Sequence, residues 1–186
     1  MSENDFELFM LLLFAGYSLL SWISWKKQRD DLPHFLTAAS YSILFYTANA
    51  IEHKGLPAVV MLEGLIAIWL GFAVRSLKQR INGLLIYLFG ILTAAAVLSD
   101  GMDSVLSYQM LTWLVLFASL SGIAALVAKH RVGSSTSQWL GALYYTIGIL
   151  FLIFLTELTS LLTEGLSRSV RHLFVSAAWS AYSVCV

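Results

Sequence analysis

Charge is what this chain has least of. Only 12% of its 186 residues are charged, 59% are apolar, and the mean hydropathy is +0.78. Soluble domains carry about a quarter charged and about half apolar residues. A water-facing globule of this size cannot hide so much apolar surface, so the bilayer must serve as solvent. Cysteine is nearly missing too: Cys185 alone cannot close an internal disulfide and fits no metal-site spacing. The two prolines, Pro33 and Pro57, each stand at the start of an apolar run, where the missing N–H costs a helix nothing. Neither sign of charge prevails, with 11 basic and 11 acidic residues, so no nucleic-acid partner is expected. No GxSxG, HExxH or P-loop occurs and no span holds an aspartate pair. Enzymatic activity, a metal centre and a cofactor are therefore not expected.

What is present is one design repeated: apolar run, short charged turn, apolar run. The runs cover residues 8–25, 32–51, 55–74, 81–99, 110–128, 139–162 and 173–186. They predict an all-α polytopic transmembrane helical bundle, a single membrane domain over residues 1–186. Six runs are long enough to span. The seventh makes about 21 Å of helix against a roughly 30 Å hydrocarbon core, which implies a span truncated by the end of the chain or incompletely inserted. The first run is no signal peptide, because acids precede it and Lys26-Lys27 follow, the reverse of the signal order.

Basic residues give an orientation. Connections one, three and five hold Lys26, Lys27, Arg29, Arg75, Lys78, Arg80, Lys129 and Arg131. The opposite side holds only Lys54, Arg168 and Arg171. Eight against three predicts an N-terminus outside. Trp22, Trp25, Trp113 and Trp139 lie near run ends, where amphipathic rings favour headgroups. Gly64 and Gly71, Gly83 and Gly90, and Gly141 and Gly148 each lie two helical turns apart, so each pair shares a face suited to close helix packing.

Glu63 and Glu157 are the only Asp, Glu, Lys or Arg residues inside the runs. An acid at mid-membrane costs about 2.5 to 3.5 kcal/mol on insertion scales, so it faces a partner or a cavity. The topology sets Glu63 about 10 Å and Glu157 about 8 Å from the same outer surface. Two readings follow: a pair that relays protons or holds a cation, or two carboxyls that bond across to hydroxyls and fix helix register. Glu52 and His53, with Lys54, form either an outer gate or a solvated helix end. Asp100 and Asp103 are read as a turn, since the later ligands of a calcium loop are missing. The four histidines divide two to each side of the membrane, so no shared metal site is expected.

One segment is familiar. AVVMLEGLIAIWLGFAVRSLKQRINGLLIYLFGILTAAAVL carries Leu62-Glu63-Gly64, Trp69-Leu70-Gly71, a basic stretch from Arg75 to Arg80, and Gly90. In that order these resemble a recurrent segment of an uncharacterised bacterial family of many-spanning membrane proteins, known as domain of unknown function twenty-three thirty-nine. A later match places Glu157, Ser176, Trp179 and Tyr182 near a second family segment, although Thr156-Glu157-Leu158 departs from its order. Together the matches cover roughly Phe35 to Val186. Members of that family are much longer and begin with a coiled coil, so the resemblance implies a truncated or split member, located in a bacterial inner membrane. It implies no substrate.

The expected function is a non-enzymatic one: a structural or assembly component of a larger membrane complex, partnered by the lipid bilayer and by other membrane subunits or its own copies. The alternative is a small-solute or proton-coupled transporter using Glu63 and Glu157.

Overall fold

The computed structural model describes residues 3–102, 104–130 and 136–185. Among these there are seven α-helices and no strand: α1 (Glu3–Lys26), α2 (Leu32–Ala50), α3 (Leu56–Ala73), α4 (Leu77–Leu98), α5 (Tyr108–His130), α6 (Thr136–Leu162) and α7 (Arg168–Cys185). The chain divides into two compact units, Met1–Ala96 and Val97–Val186. Asp103, Arg131 and residues 133–135 lie outside the described residues, as do the side chains of Trp139 and Cys185.

Local chemistry sets the helix ends. Pro33 and Pro57 fall in the first turns of α2 and α3. Ser76 caps α4 by accepting the Gln79 N–H at 3.3 Å, and Ser107 caps α5 by accepting the Met110 N–H at 3.3 Å. α1 and α3 end alike. Ser76 N–H reaches back to Gly71 O at 3.0 Å, and Arg29 N–H to Ser24 O at 3.0 Å. Each turn is closed by a residue in the left-handed region, Arg75 (φ 53°) and Gln28 (φ 50°). This is the Schellman geometry, made here without the usual glycine.

Five helices are long and apolar enough to cross a membrane: α1, α3, α4, α5 and α6. Such a set belongs to a membrane-embedded protein. The expectation of six full spans and a shortened seventh is corrected on two points. α2 has the length, but Pro33, His34, Asn49 and a run of Ser, Thr and Tyr leave it short of the required apolarity. The run 173–186 is part of a longer helix that begins at Arg168, and Arg168, Arg171, His172 and several serines make it amphipathic. Both runs are free of charge, but α2 is rich in hydroxyls and the helix that contains the last run begins with two arginines and a histidine. The basic stretch Arg75 to Arg80 is not a turn either. Only 74–76 connect, because the Ser76 cap starts α4 at Leu77 and takes Lys78, Gln79 and Arg80 into the helix.

In the first unit, α2 packs on α1 and on α3. α3 and α4 run antiparallel with their backbones in contact. A Cβ built on Gly64 would lie 2.6 Å from Tyr87 N, on Gly71 2.7 Å from Arg80 N, on Gly83 2.5 Å from Ile68 N, and on Gly90 2.9 Å from Met61 N. Four glycines, two from each helix, thus interleave along one seam. Around it Val60, Met61 and Ile86 are almost completely buried. Arg80 fastens the closed end, donating from Nε to Gly71 O at 3.3 Å while its guanidinium lies over the Phe72 ring. Gln79 ties in α2. Its side chain is fully buried, accepts from Thr37 Oγ1 at 3.0 Å and donates to Ser40 Oγ at 3.4 Å.

In the second unit, α6 packs on both α5 and α7. Rings fill the space between them: Trp113 stacks on Phe117, Phe154 meets both, and Phe151 reaches Tyr182 of α7 with centroids 5.8 Å apart. Gly148 lets that tyrosine approach, since a Cβ there would lie 2.7 Å from the Tyr182 hydroxyl.

A methyl group at Gly64 or Gly83 must push one backbone off another. Gly64→Ala and Gly83→Ala are expected to lower stability by about 1 to 3 kcal/mol. Gly16→Ala, whose Cβ meets nothing within 4 Å, is expected to be neutral or stabilising by up to about 1 kcal/mol. Thermal or denaturant unfolding in mild detergent checks this, and equal losses at all three positions would remove the seam from the account of stability.

Candidate functional site

Glu63 lies on α3, seven residues from its start and so about 10 Å along the helix. It shares a wall with Phe14 and Ser18 of α1, Leu36, Ala39, Ser40 and Ile43 of α2, Ile66, Ala67 and Leu70 of α3, and Ile86 of α4. These enclose a cavity of about 280 Å³ within the first unit, and its lining is mostly apolar. Thr47 of α2 faces the carboxyl. The other carboxyl oxygen, Oε2, is buried and has no hydrogen-bond partner among the described residues. Most buried side-chain polar atoms in native proteins have a partner, and an unpartnered carboxyl oxygen in an apolar wall is costly.

Glu157 belongs to the second unit. Trp113, only 3% exposed on α5, donates its indole N–H to Glu157 Oε2 at 3.1 Å. The indole is a donor only, so it fixes the carboxylate whichever way the rest of the site is occupied. Trp113 is therefore an internal residue and not one of the headgroup-level tryptophans expected from its place near a run end. Trp22 and Trp25 are exposed, with the Lys26 ammonium over the Trp22 ring. One residue before Glu157, Thr156 Oγ1 accepts the Trp179 indole N–H at 2.9 Å, which locks α7 to α6. Glu157, Thr156, Ser160, Leu161, Glu164 and Arg171, with Gly101 and Met102, line a second cavity of about 300 Å³.

Glu63 and Glu157 thus stand in different units, each with its own cavity and its own partner. Glu52 and His53 are exposed in the short connection between α2 and α3, where Glu52 O accepts the Gly55 and Leu56 N–H groups. Gly64, Gly71, Gly83 and Gly90 lie in the α3–α4 seam, Gly148 lies under Tyr182, and Gly141 has nothing within 4 Å of its Cβ position. No group of three or more potential metal ligands occurs among the described residues.

Gln79, Glu164 and Arg171 were not singled out in the sequence, although signals for them exist. Ser76-Leu77-Lys78-Gln79 has the spacing of a helix N-terminal capping box, which would have placed Gln79 inside a helix. Glu157, Glu164 and Arg171 are spaced at seven and seven. Comparison of the chain with protein-family models, with curated proteins and with solved structures finds no match.

Trp113→Phe keeps the ring and removes the donor to Glu157. It is expected to cost about 1 to 3 kcal/mol of stability, the penalty of a buried group left without its partner. Combining it with Glu157→Leu should cost much less than the sum of the two single changes. Additive losses in a double-mutant cycle would mean that the indole–carboxylate bond does not hold α5 to α6.

Proposed function

We propose that this is a multi-pass protein of a bacterial inner membrane that acts, without enzymatic chemistry, as a proton- or cation-coupled carrier of a small solute. The observation that carries this reading is the buried Glu63 oxygen without a partner at the wall of a cavity between helices. A carboxyl kept only to fix helix register gains by bonding both of its oxygens; one left half-satisfied inside a membrane is a place where a proton or cation can come and go. Glu157, held by Trp113 beside its own polar cavity, supplies a second ionisable point.

The second reading is a structural or assembly component of a larger membrane complex, built with other subunits or with copies of itself. The outward stripe of Leu62, Ile66 and Trp69 on α3 favours it, since it suits another helix as well as lipid. It ranks second because the four α3 and α4 glycines are occupied with each other. Those four are taken up within the first unit and are not open to a further subunit. Both readings agree with the resemblance to the many-spanning bacterial family.

The N-terminus faces outside in this proposal, and that orientation requires α2 to cross. With α2 crossing, the basic residues divide eight to three; if α2 stays on one side they divide five to six, which is no bias. Burial of Ser42 and Thr47, the Thr37 bond to Gln79 and the Gln79 bond to Ser40 remove much of the polar cost of that crossing.

The test is proton flux into proteoliposomes after a pH jump, comparing the native chain with Glu63→Gln and Glu157→Gln. Flux above that of empty liposomes, lost in Glu63→Gln while folding is kept, is the expected result. No flux with or without a solute gradient, from a protein that runs as a large assembly in mild detergent, would put the structural reading first.

A further inference from the structure

The second unit holds opposite charges that do not satisfy one another. Arg171 lines the cavity with Glu157 and Glu164, and its Nε is buried without a hydrogen-bond partner. Among the described residues neither carboxylate is ion-paired with it. Glu157 is oriented by the Trp113 indole, and α7, which carries Arg171, is locked to α6 by the Trp179–Thr156 bond. Glu157 and Arg171 are thus held on anchored helices, and Glu164 stands exposed in the turn that joins them. A guanidinium whose Nε lacks a partner favours an oxyanion that accepts two of its N–H groups, such as a carboxylate or phosphate. Two carboxylates on the same wall favour an ammonium.

We infer that the cavity lined by Glu157, Glu164 and Arg171 binds a compact zwitterion, with its ammonium on the glutamates and its anionic group on Arg171. The volume of about 300 Å³ lies at the small end of ligand sites, so the ligand is a small molecule or a single headgroup. That chemistry has two sources, a free amino acid and the phosphoethanolamine headgroup of a lipid. The inference deepens the carrier reading by naming its solute class. It also stands apart from it, because binding is measurable without transport.

The experiment is thermal unfolding of the full chain in nanodiscs. In one arm the lipid is phosphatidylglycerol alone, and glycine or L-alanine is titrated in, with acetate and ethylamine as half-ligand controls. In the other arm phosphatidylethanolamine is added to the lipid with no free amino acid. The expected result is a saturable rise in Tm with the zwitterion that neither half-ligand gives at the same concentration. A rise in the first arm identifies a free solute, and a rise confined to the second identifies the headgroup. Arg171→Gln and the exposed Glu164→Gln should each raise the half-saturating concentration at least tenfold, while Lys54→Gln should not change it. Should Arg171→Gln fail to fold, Glu164→Gln carries the test. No shift in either arm, or a shift that the folded variants leave unchanged, overturns the assignment. Loss of binding with Glu63-dependent flux intact would sink this inference alone. Binding without flux would sink the carrier reading alone.

Discussion

Where α3 meets α4, no side chain stands between the two backbones. In water, burying apolar surface would supply most of the drive for helix pairing. In lipid that drive is missing, and helices associate through close van der Waals contact and a few hydrogen bonds. Four glycines meet this condition, two from each helix, and they bring main chain against main chain over about three helical turns. The rest of the first unit depends on that seam. It sets the position of Ile86 and of Gln79, and through Gln79 it places α2, whose Thr37 and Ser40 bond to the buried amide. It also fixes the helix on which Glu63 sits and so the wall of the cavity beside it.

The second unit is held in a different way. Rings replace glycines: Trp113, Phe117, Phe151, Phe154 and Tyr182 pack in edge-on and stacked pairs, and pairs of this kind contribute about 0.5 to 1.5 kcal/mol each beyond their area. Two indole N–H groups then bond across helices, to Glu157 and to Thr156. The result is polar where the first unit is apolar. Each unit holds one acid within its apolar runs, but Glu63 is left with an unpartnered oxygen, while Glu157 has a fixed donor and a second cavity beside it.

Much of the fold was legible in the sequence because hydrocarbon tolerates few patterns. Runs of apolar residues give helices, and Pro33 and Pro57 mark two of their starts. The spacing of Gly64, Gly71, Gly83 and Gly90 marks one face on each of two helices; that the faces meet each other is a tertiary fact no spacing contains. The two runs without charge that fall short as spans do so for different reasons: α2 carries many hydroxyls, which cost far less than a charge, and α7 begins five residues before its run, at Arg168. Helix starts were placed late at α4, α5 and α7, because Lys, Gln, Tyr and Arg were read as loop when Ser76 and Ser107 had already turned the chain. The acids were visible as the only charges within apolar runs. Their surroundings were not, since a cavity is made by side chains from several helices.

The turns after α1 and α3 reverse the chain within a few residues, each closed by a hydrogen bond from the second residue past the helix cap back into its last turn. A connection this short leaves the second helix of each hairpin no freedom to lag behind the first during insertion. If α2 crosses as proposed, it reaches the bilayer beside α1 with its Ser42 and Thr47 hydroxyls bonded to Ala38 O and Leu44 O of its own backbone. A helix too polar to partition into lipid by itself can then enter as half of a pair. The pair, and not the single helix, is the unit whose hydrophobicity matters to insertion. Lengthening the connection would expose α2 to a choice between water and lipid that the native turn never offers it.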